Sequence, residues 1–472
     1  MHELPNLKQL SELEKDALIY TQHSHLLALT AQITLLTAKV SKLEGRLSLN
    51  SLNSSKPPSS DGLNKPVPKS QRQAGQKPVG GQKGHQGHTL KRVEQADFIE
   101  EHTPPSVCDA CLRPLTDTQV VESRQVFDIP IVRPEVTEHR VYQSLCACGK
   151  VHRGTFPAHV TAPVQYGARI KASVVNLTHH HMMPIARSGA LLGEHFGLPL
   201  SDATIVAINA EAAECLTPSV EEIATALKTT AVAHADETGM RAEGKLSWVH
   251  FVTNPTLTWM GAHANRGTKA FVELGILNVF KGTLIHDGWK PYRELNCTHG
   301  LCNAHHLREL TYVAEQMQQP WAAELSALLI KACHETEEQK GQLTPARLEE
   351  YRRSYEIILV KGEAANPAAE PSHKHGKAKQ NKAFNLLKRL RVYVDDVWRF
   401  ASHVDVPFTN NMAEQAVRMP KVKQKISGGF RTFNGLKNFC TIRSYLATLQ
   451  KQKHNVFHAL TLAFQGAPPQ VA

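Results

Sequence analysis

The chain has 472 residues, of which 41% are hydrophobic and 21% charged, and carries a formal net charge of +11. That size has room for about three domains, and the composition is that of a folded, soluble protein rather than a disordered or fibrous one. The basic excess favours a polyanionic partner. No run approaches the ~18 unbroken apolar residues of a membrane span, and Met1-His2-Glu3-Leu4-Pro5 lacks the basic and apolar regions of a secretory signal. The expected setting is a reducing cytoplasm with no membrane partner, where the nine cysteines stay free of disulfides.

From Ile19 to Leu47 the apolar residues follow a heptad. Ile19, Leu26, Ile33, Val40 and Leu47 recur at sevens, interleaved with Leu29, Leu36 and Leu43. Such a seam buries itself only against another helix, so a coiled coil and self-association are expected, with Gln22 weakening the first heptad. From Asn53 to Arg92 the text changes to Pro, Gly, Ser and basic residues, including Lys56 and Lys83. Too few apolar residues remain there for a core, which predicts a solvated basic arm able to neutralise phosphates.

Cys108 and Cys111 form one close pair, and Cys146 and Cys148 a second, tighter one. Strand-like text at 125–131 and 138–145 lies between them. Two thiolate pairs around a β-rich stretch can close a structural zinc site. Residues 168–215 look helical, with a break at Gly197-Leu198-Pro199-Leu200-Ser201-Asp202. Ser201 or Asp202 can cap a helix starting near Ala203 with Ile205, Ile208 and Ala212 on one face. Helix, turn and capped helix suit a helix-turn-helix reader of DNA and equally any helical hairpin, and the second helix carries no Arg or Lys.

From Thr229 the texture becomes α/β. Strands are predicted at 231–236, 246–253, 257–263, 283–287 and 299–303, with helices at 268–277 and near Trp289. Three strands in hairpin order followed by alternating helix and strand is the order of a ribonuclease H-like fold. Residues 305–405 are mostly helical and interrupt that layout, with a basic loop expected from Gly362 to Lys382.

Three acids stand where hydrolytic chemistry on phosphodiesters would want them. Asp236 ends the first strand-like run, Asp287 ends the fourth, and Glu414 opens a helix at Asn410-Asn411-Met412-Ala413-Glu414. Paired Mg²⁺ ions, or Mn²⁺, can activate a nucleophile and stabilise a leaving oxygen. These hard ions select carboxylate oxygens. Arg418 lies one helical turn after Glu414, Pro420 is expected to end that helix, and Lys421, Lys425 and Arg431 keep the following segment basic. Glu237 should point to the opposite strand face from Asp236. Cys302 and His305 admit a reading as metal ligands, although a buried structural role is the commoner one. Asn410 and Asn411 can serve simply as helix caps.

These residues bring a family into view. Along nearly its whole length the chain resembles the transposases of the insertion sequence 66 family. The resemblance runs through Asn53 to Asp61, Gly80 to His85, the two cysteine pairs, Asp236-Glu237-Thr238, Asp287-Gly288 and Asn410 to Arg418. Gln415 departs from the family's commoner basic residue, and the second cysteine pair has one intervening residue. Cys302 with His305 is similar to a Cys-x-x-His element of several transposases with helical insertions. The resemblance implies a DDE transposase in which Asp236, Asp287 and Glu414 carry the metals. It implies double-stranded DNA as partner, at the element's terminal inverted repeats and at the target, together with accessory element-encoded proteins. A catalytically silent repressor and a ribonuclease H-like nuclease are the alternatives.

The expected organisation is α/β and multidomain. It comprises a coiled-coil helix (1–50), a basic arm (51–97), a zinc-binding β module (98–160) and a helix-turn-helix region (161–228). A ribonuclease H-like mixed sheet follows (229–306 and 406–450), interrupted by a helical insertion (307–405), and a tail (451–472) ends the chain.

Overall fold

The computed structural model describes residues 10–54, 61, 84, 89–116, 118–369, 378 and 380–471. The chain divides into two compact units, one of residues 1–69, 157–188 and 202–472, the other of residues 70–156 and 189–201. Among the described residues no helix is long and apolar enough to cross a membrane. Lys56 and Lys83 lie outside the described residues, as does most of the expected basic arm.

Helix α1 (Glu12–Leu47) opens on a capping box, in which the Ser11 hydroxyl accepts from the Glu14 amide and the Glu14 carboxylate accepts from the Ser11 amide at 2.8 Å. The whole heptad seam from Ile19 to Leu47 is exposed along this helix. In the smaller unit, β1 (Gln143–Leu145) pairs antiparallel with β2 (Val151–Arg153). The strand expected at 125–131 does not form: Val126, Ile129 and Ile131 are exposed, and among the described residues no ladder partner faces them. A β-rich composition without a neighbouring strand leaves the backbone extended but unpaired.

Helix α2 (Ala168–Val175) runs into a π-helical turn (Asn176–His180), followed by α3 (Ile185–Phe196) and α4 (Asp202–Lys228). The break at 197–201 and the buried face of Ile205, Ile208 and Ala212 fall as the sequence predicts. Helix α4 nevertheless runs beyond residue 215 and through Pro218, because Leu216, Val220, Ile223 and Leu227 extend the buried stripe.

A five-stranded sheet forms the centre of the larger unit. Its strands are β3 (Val232–Ala242), β4 (Lys245–Thr253), β5 (Thr258–His263), β6 (Thr283–His286) and β7 (Thr298–Leu301), with α5 (Thr268–Leu274) and α6 (Lys290–Arg293) in the connections. The spatial order is β5-β4-β3-β6-β7. The first three strands are antiparallel, while β6 and β7 run parallel to β3. Strand β3 is longer than expected, so Asp236 sits inside it rather than at its end. The extension is held by its pairing with β4 through Ala242 and Lys245.

The chain then leaves the sheet for a helical insertion: α7 (Asn303–Gln316), α8 (Pro320–Glu338), α9 (Pro345–Ala365), α10 (Lys382–Val392), α11 (Val394–Val397) and α12 (Arg399–Ser402). These helices bury a core of their own around Trp321, Tyr355, Leu387 and Trp398, reaching the sheet at Ile285 and Leu301. The loop expected from Gly362 is shorter, because α9 continues to Ala365. Gly362 stays in the helix since a Cβ there would press on Leu387 and Trp321 at 2.7 and 2.9 Å.

Helix α13 (Asn411–Ser427) and α14 (Phe433–Lys451) return to the sheet. Pro420 does not end α13 but lies buried inside it. An interior proline costs about 3 kcal/mol, and here the loss is offset by Ala416, Val417, Met419 and Val422 packing on the sheet's apolar face with Met240, Phe251 and Phe439. Past α13, Gly428 adopts φ +71° and Gly429 lies so close to β3 that a Cβ would meet the Arg241 carbonyl oxygen at 2.6 Å. The expected C-terminal tail carries a further helix, α15 (Val456–Phe464), packed near α2 and α4.

Strand β5 is a sheet edge, and α14 covers it with hydroxyls. The Thr258 amide donates to Thr448 Oγ1 at 3.0 Å, and the Met260 amide donates to Ser444 Oγ at 2.8 Å. An uncovered edge would offer those amides to other chains. Thr448→Ala should lower stability by about 1–3 kcal/mol, the range for a buried donor left unpaired, with faster amide hydrogen exchange at Thr258. A denaturant titration with exchange mass spectrometry measures both.

Candidate functional site

The site forms where β3, β6 and β7 meet the start of α13. Even-numbered residues of β3 share the face packed by α13 and α14, as Met240 and Ala242 show by joining that core. His234, Asp236 and Thr238 fall on the same face. On β6, Ile285 pairs with His234, so Asp287, two residues further, comes level with Asp236. Glu414 lies in the first turn of α13.

Asn410 sets the position of that turn. Its side chain does not cap the helix, contrary to the simple expectation. The Asn410 amide nitrogen Nδ2 donates to the Ala235 carbonyl at 2.8 Å, and Oδ1 lies 2.9 Å from His234 Nδ1. That arrangement requires the His234 proton on Nδ1. Burial lowers the His234 pKa to about 4, so the ring is neutral at ordinary pH. The Asn410 backbone N–H in turn donates to the sulfur of Cys302 at 3.1 Å.

Burial, followed by the charges of Glu237, Asp287 and Glu414, pushes the Asp236 carboxyl up to about 8, against an opposing hydrogen bond from the Glu237 amide. Both distant acids therefore act on Asp236. Among the described residues the three do not gather into one cluster of donors within 4.8 Å. An oxygen-only set of three carboxylates, Asp236 and Glu414 partly enclosed and Asp287 exposed, fits Mg²⁺ or Mn²⁺, whose charge would offset the repulsion that adds to burial in raising Asp236. The Asp287 carboxylate accepts from the Trp289 amide at 2.8 Å.

Glu237 takes the opposite face, as strand alternation predicts. Its carboxylate accepts from Arg266 Nε at 2.8 Å and from the Tyr292 hydroxyl. The Arg266 guanidinium lies over the Trp248 and Trp289 rings at 4.7 and 3.9 Å. Glu237 is thereby neutralised and enclosed, while Asp236 is left facing the other two acids.

Glu414 makes no ion pair with Arg418. Its carboxylate oxygen lies 3.9 Å from Arg308 and 4.0 Å from His305. Arg418, Lys425 and Arg431 are exposed, whereas Lys421 is half-buried with its ammonium donating to the Gly239 carbonyl at 3.3 Å. The positioning residues His234, Asn410 and Arg308 escaped sequence reasoning. The one available signal was the two-residue step from His234 to Asp236, which puts them on a common face.

In the smaller unit each cysteine pair forms a local turn: the Cys108 amide donates to the Arg113 carbonyl at 2.9 Å, and the Cys146 amide to the Lys150 carbonyl at 2.8 Å. Amides of Cys111 and Ala110 hold the Cys108 thiol below its usual range, and the Cys148 amide and thiol do the same for Cys146. Among the described residues Cys108, Cys111, Cys146 and Cys148 are not drawn to one centre. The group that is close enough to share an ion consists of Cys302, His305 and Glu414.

Residues 163–438 match the family model described as transposase IS66 family, a span of more than half the chain that includes Asp236, Asp287 and Glu414. The chain belongs to the IS66 transposase family. Residues 2–91 match a second model, described as a family of unknown function. No curated protein matches the chain. The IS66 match takes in the sheet, the helical insertion and α13, and stops within α14.

Asn410→Ala should leave the His234 ring and the Ala235 carbonyl without partners and free the start of α13 from β3. The expected loss is about 1–3 kcal/mol, read as a lower calorimetric melting temperature.

Proposed function

We propose that this IS66-family chain cuts the ends of a mobile DNA element and joins them to target DNA, with Asp236, Asp287 and Glu414 holding the divalent ions. The observation that carries the reading is Asp287 just past the end of β6, which stops one residue short of the strand end the sequence suggests, beside Asp236 on the parallel neighbour β3, with Glu414 on a helix pinned to β3 by Asn410. The sheet order, three antiparallel strands extended by two parallel ones, supports a ribonuclease H-like core. When bound, a pair of Mg²⁺ or Mn²⁺ ions would polarise the attacking water or hydroxyl and neutralise the leaving oxygen. The protein's part is to present three carboxylates, Asp236 and Glu414 half-buried and Asp287 exposed, and to keep His234 neutral behind them. Arg418, Lys425 and Arg431 are exposed on and beyond the same helix, where they can meet phosphates.

Asp236→Asn, Asp287→Asn and Glu414→Gln should each slow strand cleavage by about a thousand-fold or more, since each removes several kcal/mol of charge stabilisation. Gel-shift affinity for element-end DNA should persist. Cleavage that survives all three substitutions would refute the assignment. Cutting without joining to an acceptor plasmid would favour a nuclease, and unimpaired binding without cutting by the native chain would favour a repressor.

The exposed seam of α1 supports self-association as a coiled coil. Ile33→Asp with Leu36→Asp should shift the protein to monomer, measured by light scattering on a sizing column. For the smaller unit we retain structural zinc on Cys108, Cys111, Cys146 and Cys148, with the pairs closing on the ion as it binds. For residues 161–228 we retain a helix-turn-helix role in recognising element ends.

A further inference from the structure

Cys302 leaves β7 as the residue preceding α7, and His305 follows three positions on, at the same end of the helix. Sequence alone offers only this pair. The fold supplies a third donor from more than a hundred residues away, because the Asn410 amide docks on the Cys302 sulfur and brings Glu414 over it. One donor atom each from Cys302, His305 and Glu414 lies within 4.8 Å of the others. His305 Nδ1 is buried and has no hydrogen-bond partner, and it faces Glu414 Oε1 at 4.0 Å, too far for a hydrogen bond.

We propose that Cys302, His305 and Glu414 bind a soft divalent cation of the Zn²⁺ class, and that this ion competes with the magnesium arrangement by taking Glu414. Zinc bound to sulfur at about 2.3 Å and to nitrogen and oxygen at about 2.0–2.2 Å sets its donors about 3.3–3.7 Å apart, so the observed spacing needs only a small contraction. Thiolate and imidazole select zinc strongly over magnesium. Three protein donors leave a fourth tetrahedral position open, unlike a closed four-thiolate shell. Arg308, 3.9 Å from the Glu414 carboxylate, is the group that a bound cation would displace. The regulatory consequence rests on the proposed role of Glu414 in cleavage, whereas the metal site itself does not.

The test uses the full chain as wild type, Cys302→Ser and His305→Gln. Each is equilibrated with Zn²⁺ and its metal content counted, then with Co²⁺ to record thiolate-to-cobalt charge-transfer absorption. Wild type should bind one ion more per chain than either variant, and the difference spectrum against Cys302→Ser should carry a sulfur-to-cobalt band. The zinc concentration that halves each variant's own Mg²⁺-supported cleavage should rise by at least about tenfold in both variants, a floor set by losses from lesser changes around metal sites. Equal metal content and identical cobalt spectra in the three proteins would overturn the proposal. If Cys302→Ser misfolds by circular dichroism, His305→Gln decides. If no protein cleaves DNA, the metal count still decides this site, and it is the transposase reading that fails.

Discussion

One buried amide, Asn410, ties together three parts of the chain that are far apart in sequence. Its side chain joins β3 through His234 and Ala235, and its backbone joins the end of β7 through Cys302. A buried amide is tolerated only when its hydrogen bonds are made, so the pairing selects a single placement of α13 against the sheet. A shift of one residue along β3 would turn Asp236 to the opposite face and leave the Asn410 amide unsatisfied. The geometry of the acids is therefore a consequence of polar satisfaction in the interior rather than of the acids attracting one another, which they cannot do.

The same junction explains how a large helical insertion can be carried without disturbing the sheet. The chain departs at Asn303 and returns at Phe408, and the Asn303 amide donates to the Phe408 carbonyl at 3.0 Å. The Asn303 side chain donates to the Val397 carbonyl at the same distance, tying the last helices to the point of departure. Departure and return are thus held as neighbours, while α7 to α12 satisfy themselves around their own core. Within such a frame the insertion's length matters little to the sheet, since loop closure grows slowly with the number of residues enclosed.

What could be read from sequence divides along a physical line. Strands β3 to β7 were visible because alternation and apolar runs are local signals, and Asp236 and Asp287 stood on or just past them, with Glu414 at a recognisable helix start. The π-helical turn, the continuation of α13 through Pro420 and the helix within the C-terminal segment were not visible, because each depends on a distant face to bury. Residues 125–131 show the converse. Their composition favours a strand, yet a strand is made by its partner, and among the described residues none lies alongside. The role of Asn410 was hidden for a similar reason: an asparagine before a helix reads as a cap until its true partners are brought within reach.

Adjacent acids on β3 show how a fold decides the chemistry of identical groups. Glu237 turns toward Arg266 and Tyr292, and its charge is spent on holding the α5–α6 side together. Asp236, one residue earlier, is held protonated mainly by burial, with the charges of Glu237, Asp287 and Glu414 adding to it. Strand alternation alone separates the two roles. At the far side of the same opening, Glu414 stands between hard donors and soft ones: carboxylates toward β3 and β6, a thiol and an imidazole toward β7 and α7. On the two proposed assignments, which ion it meets would be governed by supply as much as by affinity, because thiolate and imidazole donors favour zinc over magnesium. A site placed between the two classes of donor would then convert the ratio of the two ions into a choice of coordination for one carboxylate.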